Sequence, residues 1–336
     1  MHDRYLLSHR DRAPRAKAIA IGQVGIGVLE LLVAITLGLG LTMAAAALFT
    51  SCRITYLTHD DSIRLHDNAR VAIDVIGRAL SQASSAQASF DNSADPTSDS
   101  AMTIQGVDNR SLKSTSPAMQ NPVMKAVNGS DVLAVHFTGA GNGQEGDGTV
   151  TNCAGFGVGR ATQGDAAVDR GWSIFYVAKD HTGEPELYCK YRGQHAWATA
   201  AIARGVESFQ VLYGVADDKN SLPTRFMNAS QIDQLDSALS LTGSTTEERA
   251  AEKNRQTNWK KITQVKIALL MRGATPLRVD LPVQSWALFG NEYRVGAADP
   301  GVEFDEASVP QSARNRLRKL FRAQFRFHQA TLAPAT

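Results

Sequence analysis

The sequence predicts an α+β fold: a long N-terminal α-helix, transmembrane in its first half, packed on a mainly antiparallel β head. Three observations carry that expectation. Residues 26–49 (IGVLELLVAITLGLGLTMAAAALF) are an apolar run with a single charged group, Glu30, long enough to cross a bilayer as a helix. Behind it, Leu57, Leu65, Ala69, Ala72, Ile73, Ile76, Leu80 and Ala83 recur at three- and four-residue intervals, marking one apolar helical stripe. Beyond residue 130 come short alternating runs of the kind that form half-buried strands.

The N-terminus sets the orientation. Of the first 25 residues five are basic (Arg4, Arg10, Arg12, Arg15, Lys17) and two acidic (Asp3, Asp11), and removing them shifts the formal charge from +2 to −1. A basic flank before the span and a Ser/Thr/Asp-containing stretch after it place the N-terminus in the cytoplasm and the head outside. The remaining chain has no overall basic excess to attract nucleic acid. A secretory signal has a shorter apolar core and a small-residue cleavage site, whereas this run continues into helix, so it reads as retained. Glu30 is its unusual residue. A carboxylate inside a membrane span costs about 2.5–3.5 kcal/mol, less near an end, so it needs a partner.

One helix from Ile26 to about Ser84 would be roughly 88 Å long. Residues 84–120 are rich in Ser, Asp, Asn, Ala and Pro and poor in large apolar groups, which predicts an exposed loop region. Strands are expected over 131–138, 171–178, 186–192, 207–213 and 263–272. In the third of these, Leu187, Cys189 and Tyr191 share a face; in the last, Val265, Ile267, Leu269 and Met271 do. The polar stretch 216–259 contains Ile232, Leu235 and Leu239, a short helix begun near Ser230, and a charged segment over 243–258 that reads as a solvated insertion. At the C-terminus Leu317, Leu320 and Phe321 fit a short helix. Phe321, Ala323, Phe325 and Phe327 then alternate with Arg322, Gln324, Arg326 and His328 as a half-buried final strand. The basic cluster around them reads as a solvated face, with an anionic surface or DNA as the alternative.

Chemistry-bearing patterns are sparse. The three cysteines, Cys52, Cys153 and Cys189, are too few and too far apart for a zinc ribbon, though two could pair in an oxidising compartment. Gly141, Gly143 and Gly146 spell Gly-x-Gly-x-x-Gly after an expected strand, but no helix follows to present its N-terminus to a pyrophosphate. Asp217, Asp218, Asn220 and Ser221 lack the spacing of a calcium loop. There is no His-x-x-x-His pair and no Gly-x-Ser-x-Gly elbow. Glu184 and Glu186 flank Pro185 in an expected turn, which suits solvent exposure better than acid/base work. No enzymatic activity, metal or cofactor is expected.

Gly25-Ile26-Gly27-Val28-Leu29-Glu30-Leu31-Leu32-Val33-Ala34 resembles the class III signal of type IV prepilins. The resemblance implies cleavage between Gly25 and Ile26 by prepilin peptidase, N-methylation of the new terminus, and pairing of Glu30 with an N-terminal amine as subunits enter a filament. Each charge would offset the other's desolvation. Ile26 stands where relatives more often have Phe, and Ala47 where many have a helix-bending Pro, implying a straighter first helix. The run Leu65-His66-Asp67-Asn68-Ala69-Arg70 resembles the matching helix of PilW-type minor pilins. So do Leu187-Tyr188-Cys189, Val206-Glu207-Ser208-Phe209-Gln210-Val211-Leu212-Tyr213-Gly214, Val265 to Arg272, and the Arg-rich ending.

Asn152-Cys153-Ala154-Gly155 is similar to that family's first head cysteine, which implies a Cys153–Cys189 disulfide worth roughly 3–4 kcal/mol by loop entropy and leaves Cys52 unpaired. The implied organisation is a leader over 1–25, a transmembrane and polymerisation helix over 26–50, its periplasmic half over 51–84, a variable loop region over 85–130, and a β-rich head over 131–336 with a polar insertion at about 216–259.

The implied function is that of an inner-membrane minor pilin, head in the periplasm, that primes type IV pilus assembly and then sits at the tip. Its partners would be other minor pilins and the major pilin, prepilin peptidase, the inner-membrane assembly platform and a tip adhesin. Nucleic acid is not expected as a partner. The alternatives are a J-type pseudopilin of a type II secretion system and a signal-anchored periplasmic enzyme or sensor.

Overall fold

The computed structural model describes residue 25 and residues 27–91, 102–160, 171–216, 222–276, 282–296 and 299–326. The leader before Gly25, Ile26, the candidate calcium loop over 217–221, and Phe327 with His328 lie outside the described residues.

Helix α1 covers Val28–Asp91, past the expected end near Ser84, as its Ala/Ser/Gln-rich last turns permit. The chain divides into two compact units, Met1–Arg53 and Ile54–Thr336. In the first, the described helical side chains are exposed, with Val28, Leu29, Leu37, Leu41 and Phe49 among the most open. This part of α1 is long and apolar enough to cross a membrane. Its hydroxyls are satisfied within the helix: Thr36, Thr42 and Thr50 donate to the carbonyls of Val33, Leu39 and Ala46 at 2.8–2.9 Å. A span in hydrocarbon requires that self-sufficiency.

The second unit is built from the rest of α1 and two antiparallel sheets. Its elements, in order, are β1 (Ile104–Val107), β2 (Arg110–Ser111), β3 (Val123–Met124), β4 (Val132–His136), β5 (Trp172–Lys179), β6 (Pro185–Arg192), β7 (Trp197–Arg204), β8 (Val206–Ala216) and β9 (Pro223–Met227). Then follow α2 (Ala229–Ser237), α3 (Thr246–Gln256), β10 (Ile262–Pro276), β11 (Ser285–Ala287), α4 (Asn291–Gly296), β12 (Glu303–Asp305) and β13 (Arg316–Arg326). One sheet has the order β1-β4-β5-β6-β7 and the other β13-β10-β8-β9; β11–β12 and β2–β3 form two-stranded pairs. The fold is therefore α+β, a long N-terminal helix followed by antiparallel sheets.

One apolar core joins three layers. Leu65, Ala69, Ala72, Val75, Ile76, Ala79, Leu80 and Ala83 of α1 meet Leu133, Val135, Phe175, Val177 and Leu187 of the first sheet. The same core takes Val211, Tyr213, Val265, Ile267, Leu269 and Met271 of the second. Small Ala residues along the helix stripe let the strands approach, and Gly77 lies so close to Phe325 that a Cβ there would stand 2.8 Å from its ring. Polar groups fix the docking. Asp61 is buried and accepts the Thr275 N–H at 3.2 Å, and Lys319 Nζ donates to Ser62 Oγ at 2.6 Å.

The outer faces of both sheets are also covered. Leu288, Phe304 and Val309 close over Ala268 and Leu270 of β10. The loop carrying Leu112, Ala118 and Met119 covers Val132, Ala134, Ile174 and Tyr176. The fully buried Lys190 pins that loop, donating to the Lys113 carbonyl at 2.8 Å and Ser116 Oγ at 3.0 Å.

The two sheets are connected by a single residue, Gly205, between β7 and β8. Its N–H donates to the Pro185 carbonyl at 2.9 Å on one side, and its carbonyl accepts the Arg272 N–H at 2.8 Å on the other. At φ +75 and with the Arg272 carbonyl 2.4 Å from where a Cβ would stand, the position is restricted to glycine.

Several sequence expectations need correction. The segment expected as exposed loop contains β1, paired with β4, and its Ile104 and Leu112 are buried; so short a strand leaves little alternation to read. β7 (WATAAIAR) was not expected at all, because alanine carries weak strand preference and packing decides it. The charged segment over 243–258 is solvated as expected, and within it lies a helix, α3, opened by a Thr245/Glu248 capping box and without buried residues.

Arg316–Arg326 form one strand, so the short helix expected around Leu317 is absent. Pairing from Arg316 to Arg326 along β10 consumes the backbone groups a helix would need.

Candidate functional site

The N-terminal segment can be built up from its backbone. Gly25 is exposed with open space around it. Gly27 accepts the Leu31 N–H at 3.1 Å and so opens the hydrogen-bond ladder of α1. Glu30, in the first turn, folds its carboxylate back so that Oε2 accepts the Gly27 N–H at 3.2 Å. A helix N-terminus leaves backbone donors unsatisfied and carries partial positive charge, and an acid in the first turn answers both. The result is a carboxylate held at the very start of the helix's apolar run, where the chemistry available to it is capture of a positive charge. Ile26, the other half of the expected cleavage site, is outside the described residues.

In the head, Cys153 and Cys189, the pair the resemblance implied, are joined by a disulfide with Cα atoms 6.0 Å apart. Cys189 is on β6, and Cys153 is on the long loop between β4 and β5. The Cys153 N–H also donates to Ser173 Oγ at 3.0 Å. Cys52 is free and exposed on α1.

The basic C-terminus is only in part the solvated face expected of it: Arg322, Gln324 and Arg326 are exposed, alternating with Phe321, Ala323 and Phe325, but the preceding arginines turn inward. Arg318 is buried; it meets Glu207 at 2.6 Å through Nε and Glu306 at 2.6 Å through Nη1, beneath the rings of Trp286 and Phe304. Arg272 bridges Glu207 and Glu184, and Arg316 also reaches Glu184, at 3.2 Å. Arg322 donates to the Leu288 and Ala287 carbonyls. Glu186 is likewise buried rather than exposed, held by Arg204 at 2.9 Å and by the Tyr188 hydroxyl at 3.0 Å. These side chains serve the packing of strands, which strand parity alone could not reveal.

A second charged centre gathers Asp108, Asp131 and Asp299. Asp108 caps α2 from a distance, accepting from the N–H groups of Ala229 and Ser230 at 3.0 and 2.7 Å. Asp131 accepts from Asn109 and Val211 N–H. Burial, and secondarily Asp108 and Asp299, push its carboxyl well above the usual range against those two donors. Burial raises Asp299 too, while the Tyr293 hydroxyl donates to it at 2.9 Å. Among the described residues no cluster of three or more His, Cys, Asp or Glu is arranged to hold a metal ion.

The Gly-x-Gly-x-x-Gly motif belongs to the β4–β5 loop. It folds on itself through Asp147 N–H to the Ala140 carbonyl and Gly159 N–H to the Gln144 carbonyl, both at 3.1 Å, and presents no helix N-terminus. Beside it is a cavity of about 480 Å³ between this loop and the β6–β7 hairpin. Sequence reading missed that cavity, since Phe156, Tyr191 and Gln194 meet only through the tertiary fold.

The family model for Type IV Pilus-assembly protein W matches residues 174–328. Among solved structures, a type IV-like pilin from Thermus thermophilus aligns at 13% identity and a TM-score of 0.30, over 78% of this chain and 95% of that one. A search of the curated proteins finds no match. The pilus-assembly match covers most of both sheets, including the buried Arg318–Glu207 pair and Cys189, and it points to a structural role in pilus biology and to association with other pilus components. Residues 174–328 thus match the PilW family of type IV pilus-assembly proteins.

Proposed function

We propose that this chain is a minor pilin of the inner membrane that primes type IV pilus assembly and then occupies the pilus tip. The observation that carries the reading is the presence, in one chain, of a PilW-matching head and an exposed apolar helix whose first turn holds the Glu30 carboxylate against the Gly27 N–H. On this reading the leader is cut between Gly25 and Ile26, and Glu30 takes the new terminal amine, its own or a neighbour's, as its counter-charge. An ammonium and a carboxylate that enter hydrocarbon together each lose less than either would alone. The apolar flank of α1 bundles with other pilins and with the platform beneath them, and the head supplies the partner-specific surface.

The test is the intact mass and N-terminal sequence of membrane-extracted protein from cells with and without prepilin peptidase. A peptidase-dependent, methylated N-terminus at Ile26 supports a pilin. An uncut chain in both strains removes the assembly mechanism and leaves α1 as a plain anchor.

A further inference from the structure

We infer that the cavity between the β4–β5 loop and the β6–β7 hairpin is a binding site for a neutral, hydroxyl-rich ring, that is, a pyranose unit of a glycan. Its volume of about 480 Å³ lies in the range of small-ligand pockets and would admit about two sugar rings.

The walls are preorganised although one of them is a glycine-rich loop. The disulfide ties Cys153, three residues before Phe156, to Cys189, two residues before Tyr191. Asn152 Oδ1 accepts the N–H groups of Ala154 and Phe156 at 3.0 and 3.2 Å, and the Asn152 N–H returns to the Phe156 carbonyl at 2.9 Å. A cavity already shaped in this way spends little ordering free energy on a ligand.

The lining selects the ligand class. Phe156 is 58% exposed, and its ring packs on that of Tyr191 with centroids 5.4 Å apart. An outward aromatic face held against a second ring is costly to leave in water and suits the C–H face of a sugar. Around it stand planar hydrogen-bonding groups. Gln194 Nε2 donates to Glu145 Oε1 at 3.1 Å across the mouth, and Arg192 and His195 line the same wall. Amide, carboxylate and guanidinium groups pair with vicinal hydroxyls as donors and acceptors. One carboxylate beside one guanidinium leaves no net charge to favour an anion, and a purely aliphatic ligand would cover these polar groups without pairing them.

The experiment is saturation-transfer NMR on the full chain in an amine-oxide detergent, which carries no sugar headgroup. The probes are methyl glucoside, methyl galactoside, N-acetylglucosamine and lactose, with sialic acid and a blocked alanine dipeptide as comparators. Phe156→Ala and Gln194→Ala, both at exposed positions, are checked first for an unchanged melting curve. The expected result is saturable binding of at least one neutral sugar, weakened roughly tenfold or more in both variants. Three results overturn the inference: no neutral sugar binding up to about 10 mM, binding that both variants retain, or preference for sialic acid or the dipeptide.

Discussion

Arg318 shows how a single side chain can invert a sequence reading. In the sequence it is one of a run of arginines with solvent as the natural destination. In the fold it is buried between Glu207 and Glu306, with its Nη2 also donating to the Ala313 carbonyl at 2.6 Å. Replacing it takes the counter-charge from the buried Glu306 and leaves Glu207 with Arg272 alone, so Arg318→Met should cost about 3–5 kcal/mol. Denaturant unfolding checks this, and pairing the change with Glu306→Gln should recover part of the loss; full additivity would mean the ion pair is not the cause.

Asp299 carries a pH prediction of definite sign. Burial raises its folded-state pKa above the ordinary 3.8, so the folded form holds its proton to higher pH than the unfolded form does. Its contribution to stability is therefore present at low pH and lost as pH rises through the raised value. As pH rises above the ordinary carboxylate value of 3.8, melting temperature should fall less steeply in Asp299→Asn than in the parent; identical slopes would exclude Asp299 as a contributor. Neither residue could be assigned from sequence, because strand parity tells which residues share a face but not what covers that face.

At the scale of elements, legibility followed periodicity. The α1 stripe was readable residue by residue, since Leu65, Ala69, Ala72, Ile76, Leu80 and Ala83 all reach the core. The strands around Val211 and Val265 were readable for the same reason at period two. β7 failed because alanine leaves no contrast between faces. α3 could have been found: Thr245 followed three residues later by Glu248 is a capping-box signature, and both side-chain bonds form. The cavity had no sequence signal, as its two walls are separated by β5.

The disulfide acts on elements too, clamping the β4–β5 loop to β6 across a sequence separation of 36. Breaking it should lower stability by roughly 3–4 kcal/mol and loosen the cavity loop first. Hydrogen exchange of residues 140–158 with and without reductant checks this, and uniform loosening of the whole head would argue against a local clamp.

For the molecule as a whole, the apolar start of α1 and the two-sheet head present different surfaces to different environments. Glu30→Ala should abolish or sharply reduce piliation while the melting of the head stays unchanged, because Glu30 is exposed and its carboxylate bonds the neighbouring Gly27 N–H. Normal pili in that variant would refute Glu30 as the counter-charge in assembly. The α+β class, the two-part helix and the PilW resemblance were all accessible from sequence, since each rests on runs of consecutive residues. What escaped it were contacts between distant segments.

One such contact constrains how the head could ever be shed from its anchor. The helix residues from Leu65 to Ala83 supply one wall of the core, and Asp61 and Ser62 hold polar groups of the second sheet. A protease cutting within that stretch would release a domain missing a layer of its own interior, which would aggregate rather than diffuse. A soluble fragment can arise only from a cut upstream of Asp61, close to Cys52, so any shed form should begin within the turns of helix between the apolar run and Asp61.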